Sequence, residues 1–209
     1  MFESIILPLI LSIPGLFLAL TFHEFAHGYA AYLMGDNTAK YSGRLSLNPL
    51  DHLDIWGTLC LLFFRFGWAK PVPINPANFR DQKKGIIIVS LAGPIANFAL
   101  ALVCGILCAI LQKFAYATKI AEFFYMILLY AQAMNVGLMV FNLIPIPPLD
   151  SSKVLMEFLP YRYRYRMYQL ERYSGIVLLI LVWTRMLTPV LNTMAGWVYA
   201  IIGLITNLI

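Results

Sequence analysis

Two histidines and a glutamate lie inside an apolar run that is long enough to cross a membrane. Residues 23–27 read His23-Glu24-Phe25-Ala26-His27, and residues 5–20 before them contain no charged side chain. On a helix, positions i and i+4 share one face, so His23 and His27 can bind one zinc ion, with Glu24 placed to act as general base. Ionisable residues at membrane depth are costly and mark functional sites. The alternative is a chance match to a short motif.

The composition is that of an integral membrane protein. Of the 209 residues, 61% are hydrophobic and 12% are charged, against roughly 45–50% and 25% in soluble domains. The length predicts one membrane-embedded domain over residues 1–209, with a core at about 4–158 and a C-terminal amphipathic segment and spans at 159–209. The net charge of +5 comes from basic residues in loops, where they set membrane orientation, and we expect no nucleic-acid partner.

Hydropathy predicts an all-α polytopic fold with a three-helix core over residues 4–33, 85–111 and 121–144. The first helix lacks a preceding basic region, which favours a retained span over a cleaved signal. An amphipathic helix is predicted at 153–172, and its alternating tyrosines and arginines indicate an interfacial belt on an anionic leaflet. Residues 174–209 are apolar again. They form either two short spans that meet near Thr188-Pro189, which is favoured, or one long span with an interfacial piece.

The segment between the first two spans departs from this helical pattern. Residues 41–48 alternate like a short strand, and residues 55–64 are apolar but too short to span, which indicates a re-entrant or interfacial piece. The three prolines of residues 70–76 favour an extended segment at an edge. A short re-entrant, β-like insertion is therefore predicted at about 40–80. Because non-helical backbone at membrane depth must lie inside protein or beside water, this insertion should cover the metal site or line its approach.

A catalytic zinc site typically has a third protein ligand. His52 is the one remaining histidine, and Asp150 follows a proline run at the end of the third apolar helix. Asp150 could equally be the N-cap of a helix that begins at Ser151. Spacing alone leaves these alternatives open.

Three motifs in their order along the chain resemble the site-2 protease family of intramembrane zinc metalloproteases. The resemblance covers roughly residues 15–160 and is greatest to the compact branch that lacks PDZ and CBS modules. It implies that His23, His27 and Asp150 bind one zinc ion per chain and that Glu24 is the catalytic base. The motifs are His23-Glu24-x-x-His27, Gly93-Pro94-Ile95-Ala96-Asn97 and Asn142-Leu143-Ile144-Pro145-Ile146-Pro147-Pro148-Leu149-Asp150.

The resemblance also suggests roles for three further polar residues. Asn97 and Asn142 match asparagines of the family motifs, and their amides either orient substrate or hold an oxyanion, or form hydrogen bonds between helices. His52 either supports a ligand, faces the substrate or is a surface histidine. Ser151 stands where the family usually has glycine, and its hydroxyl can cap the helix or hydrogen-bond the Asp150 carboxylate.

These features together predict an intramembrane zinc endopeptidase that acts on transmembrane protein substrates in the lipid bilayer. The first alternative is a zinc-binding membrane transporter or sensor without hydrolytic activity. Such a carrier would have no use for a base at Glu24 and would usually show paired structural repeats. The second alternative is an inactive scaffold, which the complete set of expected site residues disfavours.

The distribution of basic residues predicts the orientation of the chain. Seven lie in residues 36–84, two lie between the second and third spans, and five lie in residues 151–173. By the positive-inside rule, the first and last of these segments face the cytoplasm. The metal site is then expected towards the cytoplasmic side of a prokaryotic cell membrane.

Overall fold

The regular elements of the chain are helices. The computed structural model describes residues 7–54, 57, 69–114 and 118–208. Four of its helices, α1, α4, α5 and α8, are long and apolar enough to cross a membrane, so the chain is an all-α, multi-pass membrane protein, as predicted. The helices are α1 (Leu7–Leu33), α2 (Thr38–Tyr41), α3 (Pro49–His52), α4 (Gln82–Phe114), α5 (Lys119–Asn142), α6 (Asp150–Phe158), α7 (Tyr161–Trp183) and α8 (Thr188–Thr206), with a 3₁₀ turn at Pro76–Asn78.

Helices α1, α4 and α5 pack against one another and form the core of the fold. The α1–α5 contact is very close, because a Cβ atom on Gly15 would lie 2.4 Å from the Cα of Ala131. Helix α8 packs against α4 and α5. The cluster beneath α8 consists of Ala101, Val136, Val140, Val198 and Ile202.

The C-terminal region differs from the prediction at one point. The helix predicted at 153–172 is broken at Leu159, whose backbone is extended because the residue before a proline is driven out of the helical region. The chain therefore forms α6 and α7 in place of one helix. Residues 174–183 continue α7 and α8 begins at Thr188, so the apolar stretch is interrupted where the two short spans were predicted to meet. Of the described residues after 173, those of α8 form a helix long and apolar enough to span, and the number of spans stays a prediction.

The insertion between α1 and α4 contains little regular structure. The strand predicted at 41–48 is absent, since Tyr41 ends α2 and Gly43 has a φ of +67°, which a strand does not adopt. Among the described residues, pairing is limited to one isolated antiparallel bridge between Leu53 and Ala69. The piece predicted at 55–64 lies, apart from Gly57, outside the described residues. Residues 70–75 form no helix, which agrees with the predicted extended segment.

Candidate metal centre

His23, His27 and Asp150 bring three ligand atoms together inside the protein. The two histidines lie one turn apart on α1, and their Nε2 atoms are 3.0 Å from each other. Asp150 is the first residue of α6, and its Oδ2 atom lies 3.1 Å from the Nε2 atom of each histidine. All three side chains are buried. The geometry thus selects Asp150, and not His52, as the third member of the cluster.

The outer nitrogen of each imidazole is hydrogen-bonded to an oxygen on α4. His27 Nδ1 lies 2.7 Å from the main-chain carbonyl oxygen of Val89. A carbonyl oxygen only accepts hydrogen bonds, so Nδ1 carries the proton and Nε2 presents a lone pair. His23 Nδ1 lies 2.7 Å from Oδ1 of Asn97. Such outer hydrogen bonds fix the tautomer and the ring orientation of metal-binding histidines.

The orientation of the Asn97 amide is set by two acceptors on other helices. Its Nδ2 group donates to the carbonyl oxygen of Ala19 and to Oδ1 of Asn135, each at 3.0 Å. Oδ1 of Asn97 must therefore face His23 and accept from Nδ1. The Asn97 side chain is completely buried, so its position favours holding His23 over contacting a substrate. Asn135 was not singled out from the sequence, where its signal is a polar residue in an apolar span.

Asn135→Leu should weaken zinc binding by roughly 10- to 100-fold, the usual effect of losing an outer partner of a metal ligand. Without Oδ1 of Asn135, the Asn97 amide can turn its NH2 group towards His23 and oppose the required tautomer. Competition with a chromophoric chelator measures this loss. Gln132→Leu is the matched control, because Gln132 is also buried in α5. Equal zinc affinity in the two variants would contradict the role of Asn135.

The cluster fits a zinc ion by the chemistry of its donor atoms. Two imidazole nitrogens and one carboxylate oxygen converge within 3.1 Å of one another, and a cation bound between them would stabilise this arrangement. Zinc–nitrogen bonds of about 2.0–2.1 Å in a tetrahedron place the ligand atoms roughly 3.3 Å apart. Burial raises the pKa of the Asp150 carboxyl, but the adjacent imidazoles of His23 and His27 lower it further, so its pKa is below the usual range. Asp150 is therefore anionic at neutral pH, which is the form that binds a metal ion.

Asp150 does not act as a helix cap. Leu149 occupies the cap position of α6, and no side-chain cap hydrogen bond is formed there. The hydroxyl of Ser152 donates to the Leu149 carbonyl oxygen at 2.6 Å, whereas the buried Ser151 hydroxyl has no hydrogen-bond partner in the described part of the chain. The expectation that Ser151 would cap the helix or bond the carboxylate is therefore not met. The other carboxylate oxygen of Asp150, Oδ1, lies 3.7 Å from Nζ of Lys153.

The three ligand atoms and Glu24 open onto one cavity of about 430 Å³. Glu24 Oε2 accepts a hydrogen bond of 2.9 Å from the main-chain N–H of Val72. The extended segment 69–75 lines this cavity, and so does Asn142 at the end of α5. Nδ2 of Asn142 donates to the Leu138 carbonyl oxygen of its own helix at 3.0 Å. Asn142 is therefore placed beside the cavity, as the family motif implies.

Two charged residues anchor the extended segment. Nη2 of Arg44 donates to the carbonyl oxygens of Lys70 and Pro71 at 2.9 and 3.4 Å. The Asp36 carboxylate accepts from the N–H of Asn75 at 2.7 Å and binds the polar groups of the following 3₁₀ turn. Burial raises the pKa of Asp36, but hydrogen bonds from Thr38, Asn75 and Asn78 lower it below its ordinary value. Neither anchor was singled out from the sequence.

His52 supports the insertion and does not reach the metal cluster. Its side chain is only 1% exposed, and Nε2 lies 2.8 Å from the Ser46 carbonyl oxygen. It is absent from the lining of the cavity that holds Glu24. The structure thus places His52 neither at the surface nor at the ligands, and its position favours a structural role.

Comparison with known proteins identifies relatives over most of the chain. A Bacillus subtilis protein named "Putative zinc metalloprotease YwhC" is 39% identical over 187 residues, which cover 85% of this chain and 84% of that protein. The protein named "Putative zinc metalloprotease Rip2" is 29% identical in Mycolicibacterium smegmatis, over 88% of this chain and 69% of the relative. The Mycobacterium tuberculosis protein of that name is 27% identical, over 92% and 71%. No protein-family model matches the chain, and no solved structure does so.

Proposed function

Because the chain belongs to the site-2 protease family and is a zinc metalloprotease, we propose that it cleaves transmembrane protein substrates within the bilayer with Glu24 as general base. The observation that carries this proposal is the placement of Glu24. Its carboxylate opens onto the same cavity as the ligand atoms of His23, His27 and Asp150. This cavity lies between helices that are long enough to span the membrane.

Each step of the proposed hydrolysis is assigned to a different residue of the cavity. Zinc held by His23, His27 and Asp150 would supply a Lewis acid that lowers the pKa of a bound water towards about 7. Among the described residues, Glu24 is the one carboxylate that lines the cavity besides Asp150. It would accept the proton of the attacking water and pass it to the leaving amine. The Asn142 amide, whose residue also lines the cavity, would orient the substrate backbone.

A transmembrane substrate must present an unwound segment, because the carbonyls of a helix are hydrogen-bonded internally. The extended segment 69–75 offers an edge for such a strand. The main-chain N–H of Val72 points to Glu24. In an extended chain, groups two residues apart point to the same side, so the main-chain N–H of Ile74 points there as well. Asn75 N–H points away, to Asp36. We infer that the Val72–Ile74 edge pairs with the substrate beside the zinc ligands.

A reconstituted assay tests the proposed function. The purified chain, in vesicles that contain a single-span substrate, should cleave that substrate within its apolar segment. Removal of zinc by a chelator should stop cleavage, and one equivalent of zinc per chain should restore it. Cleavage confined to soluble peptides, with none in the membrane span, would contradict the intramembrane assignment.

Ile74→Pro should lower kcat/KM on a single-span substrate by about tenfold, since it removes one main-chain donor from the pairing edge. Zinc content should stay unchanged, because no ligand contacts this N–H. Ile74→Val retains the N–H and most of the side chain, so it serves as the matched control. A parallel loss of zinc and activity in the proline variant would instead mark the segment as structural support for the site.

The orientation of the site follows from the basic loops, and we propose that it faces the cytoplasm. Lys83 lies at the start of α4, and Lys119 lies at the start of α5, just beyond the end of α4. Because α4 is about 50 Å long, the two lysines lie near opposite ends of it. In a variant that lacks the three native cysteines, a cysteine at Lys83 should resist an impermeant thiol reagent in intact cells, while one at Lys119 should react. The reverse pattern would invert the orientation and leave the metal chemistry unaffected.

A further inference from the structure

The tyrosines and arginines that alternate along residues 161–166 do not all lie on one side of helix α7. Successive residues of a helix are separated by about 100°, so residues that alternate in sequence do not share one side. Eight side chains of residues 161–173 fall within an arc of about 160°, and all but Gln169 are tyrosine or arginine. We call these seven the Tyr–Arg face, and they are Tyr161, Arg162, Tyr165, Arg166, Tyr168, Arg172 and Tyr173.

Arg164 lies outside this arc, and its side chain contacts another helix of the protein. Its Nη2 group lies 3.4 Å from Oε2 of Glu157 and donates to the Glu157 carbonyl oxygen at 3.2 Å. Glu157 belongs to the last turn of α6, whose first residue is the ligand Asp150. Arg164 therefore fixes α7 to the helix that carries the third ligand, while the arginines of the Tyr–Arg face point away from this contact.

The Tyr–Arg face is exposed along its whole length. Tyr161 is 82% exposed, and the three arginines of the face are exposed as well. Arginines 162, 166 and 172 have no acidic neighbour on their own face, since Glu171 lies on the Arg164 side. The face thus combines three guanidinium groups with four phenol rings.

The remainder of α7 continues into the apolar layer. Leu178 is buried against Ile144 and Leu149, while the outward side chains Ile176 and Trp183 are 65% and 82% exposed. Such large exposed apolar groups belong in lipid. The transition from lipid-facing side chains to tyrosine and arginine occurs within one continuous helix, near residue 174. Tyrosine is enriched at this membrane–water boundary.

We propose that the Tyr–Arg face binds the headgroups of anionic phospholipids, such as phosphatidylglycerol. Guanidinium groups bind phosphate oxygens through paired hydrogen bonds, and the phenol rings rest between headgroup and acyl chain. Basic residues near an anionic surface each strengthen binding by about fivefold. The charge of the face and its continuity with the lipid-facing half of α7 favour a lipid headgroup over an acidic protein segment.

Spin-labelled lipids test this proposal on the full chain reconstituted in phosphatidylcholine vesicles. Labelled phosphatidylglycerol should associate with the protein in preference to labelled phosphatidylcholine, and added salt should weaken the preference. R162Q/R166Q should remove most of it. R164Q is the matched control, because it removes an arginine of the same helix that lies off the face, and it should retain the preference. Helicity and zinc content should be unchanged in the double variant.

Two results would overturn the proposal. The first is an unchanged phosphatidylglycerol preference in R162Q/R166Q, or an equal loss in R164Q, which would show that the face is not the determinant. The second is binding of soluble polyglutamate by the wild type, lost in R162Q/R166Q, without any preference between the two lipids. That result would assign the face to an acidic protein segment.

Discussion

Glu24→Gln should lower the rate of peptide hydrolysis about a thousandfold and leave the bound zinc unchanged. The substitution removes the proton acceptor and none of the ligand atoms of His23, His27 or Asp150. The glutamine side chain still offers an oxygen to the Val72 N–H, which the Glu24 carboxylate accepts at 2.9 Å. The wall of the cavity should therefore persist. Zinc analysis of the purified variant and a cleavage assay on a single-span substrate measure the two quantities separately.

Glu157→Gln provides the control for this substitution. Glu157 is a buried carboxylate that contacts Arg164 and does not line the cavity. Its neutralisation should leave the chemical step intact. If Glu24→Gln lost zinc together with activity, Glu24 would be a structural residue of the site. If it retained full activity, another group would have to be the base.

The sequence predicts best what helix geometry determines locally. The pairing of His23 and His27 follows from their i, i+4 spacing, and the spanning helices follow from hydropathy. Asp150 is different, because 123 residues separate it from His27 and spacing carries no information on their distance. Only the resemblance to a family favoured it over a helix cap. The structure then brings its Oδ2 atom within 3.1 Å of both histidines.

The features that were missed depend on contacts between distant segments. The role of Asn97 depends on which way its amide faces, and Asn135 on another helix decides this. The anchoring of residues 70–75 by Arg44 and Asp36 likewise joins residues that are 26 and 39 positions apart. The strand predicted at 41–48 does not form, because alternation of apolar and polar side chains does not make a strand unless a second strand pairs with it. Gly43, with its positive φ, prevents the extended backbone there.

Gly93→Ala should weaken zinc binding at least about 100-fold, although it adds only one methyl group far along the sequence from any ligand. A Cβ atom at position 93 would lie 2.5 Å from Nε2 of His27 and 2.5 Å from Cε1 of His23. No real Cβ contact is that short, so either the imidazoles or helix α4 must shift. A shift of α4 would also move Asn97 and the Val89 carbonyl, which hold the outer nitrogens of both rings. Zinc titration against a competing chelator measures the loss.

Gly137→Ala is the matched control for this effect. Gly137 lies in the spanning helix α5, and a Cβ atom there would meet nothing within 4 Å. This variant should bind zinc as the wild type does, since alanine is compatible with the helix and no ligand is displaced. Gly93→Ser should resemble Gly93→Ala, because the clash arises at Cβ and not at the atoms beyond it. Wild-type zinc affinity in Gly93→Ala would mean that α4 lies far enough from the imidazoles of His23 and His27 to admit a methyl group at position 93. The close packing of α4 on the zinc ligands would then not be needed to form the site.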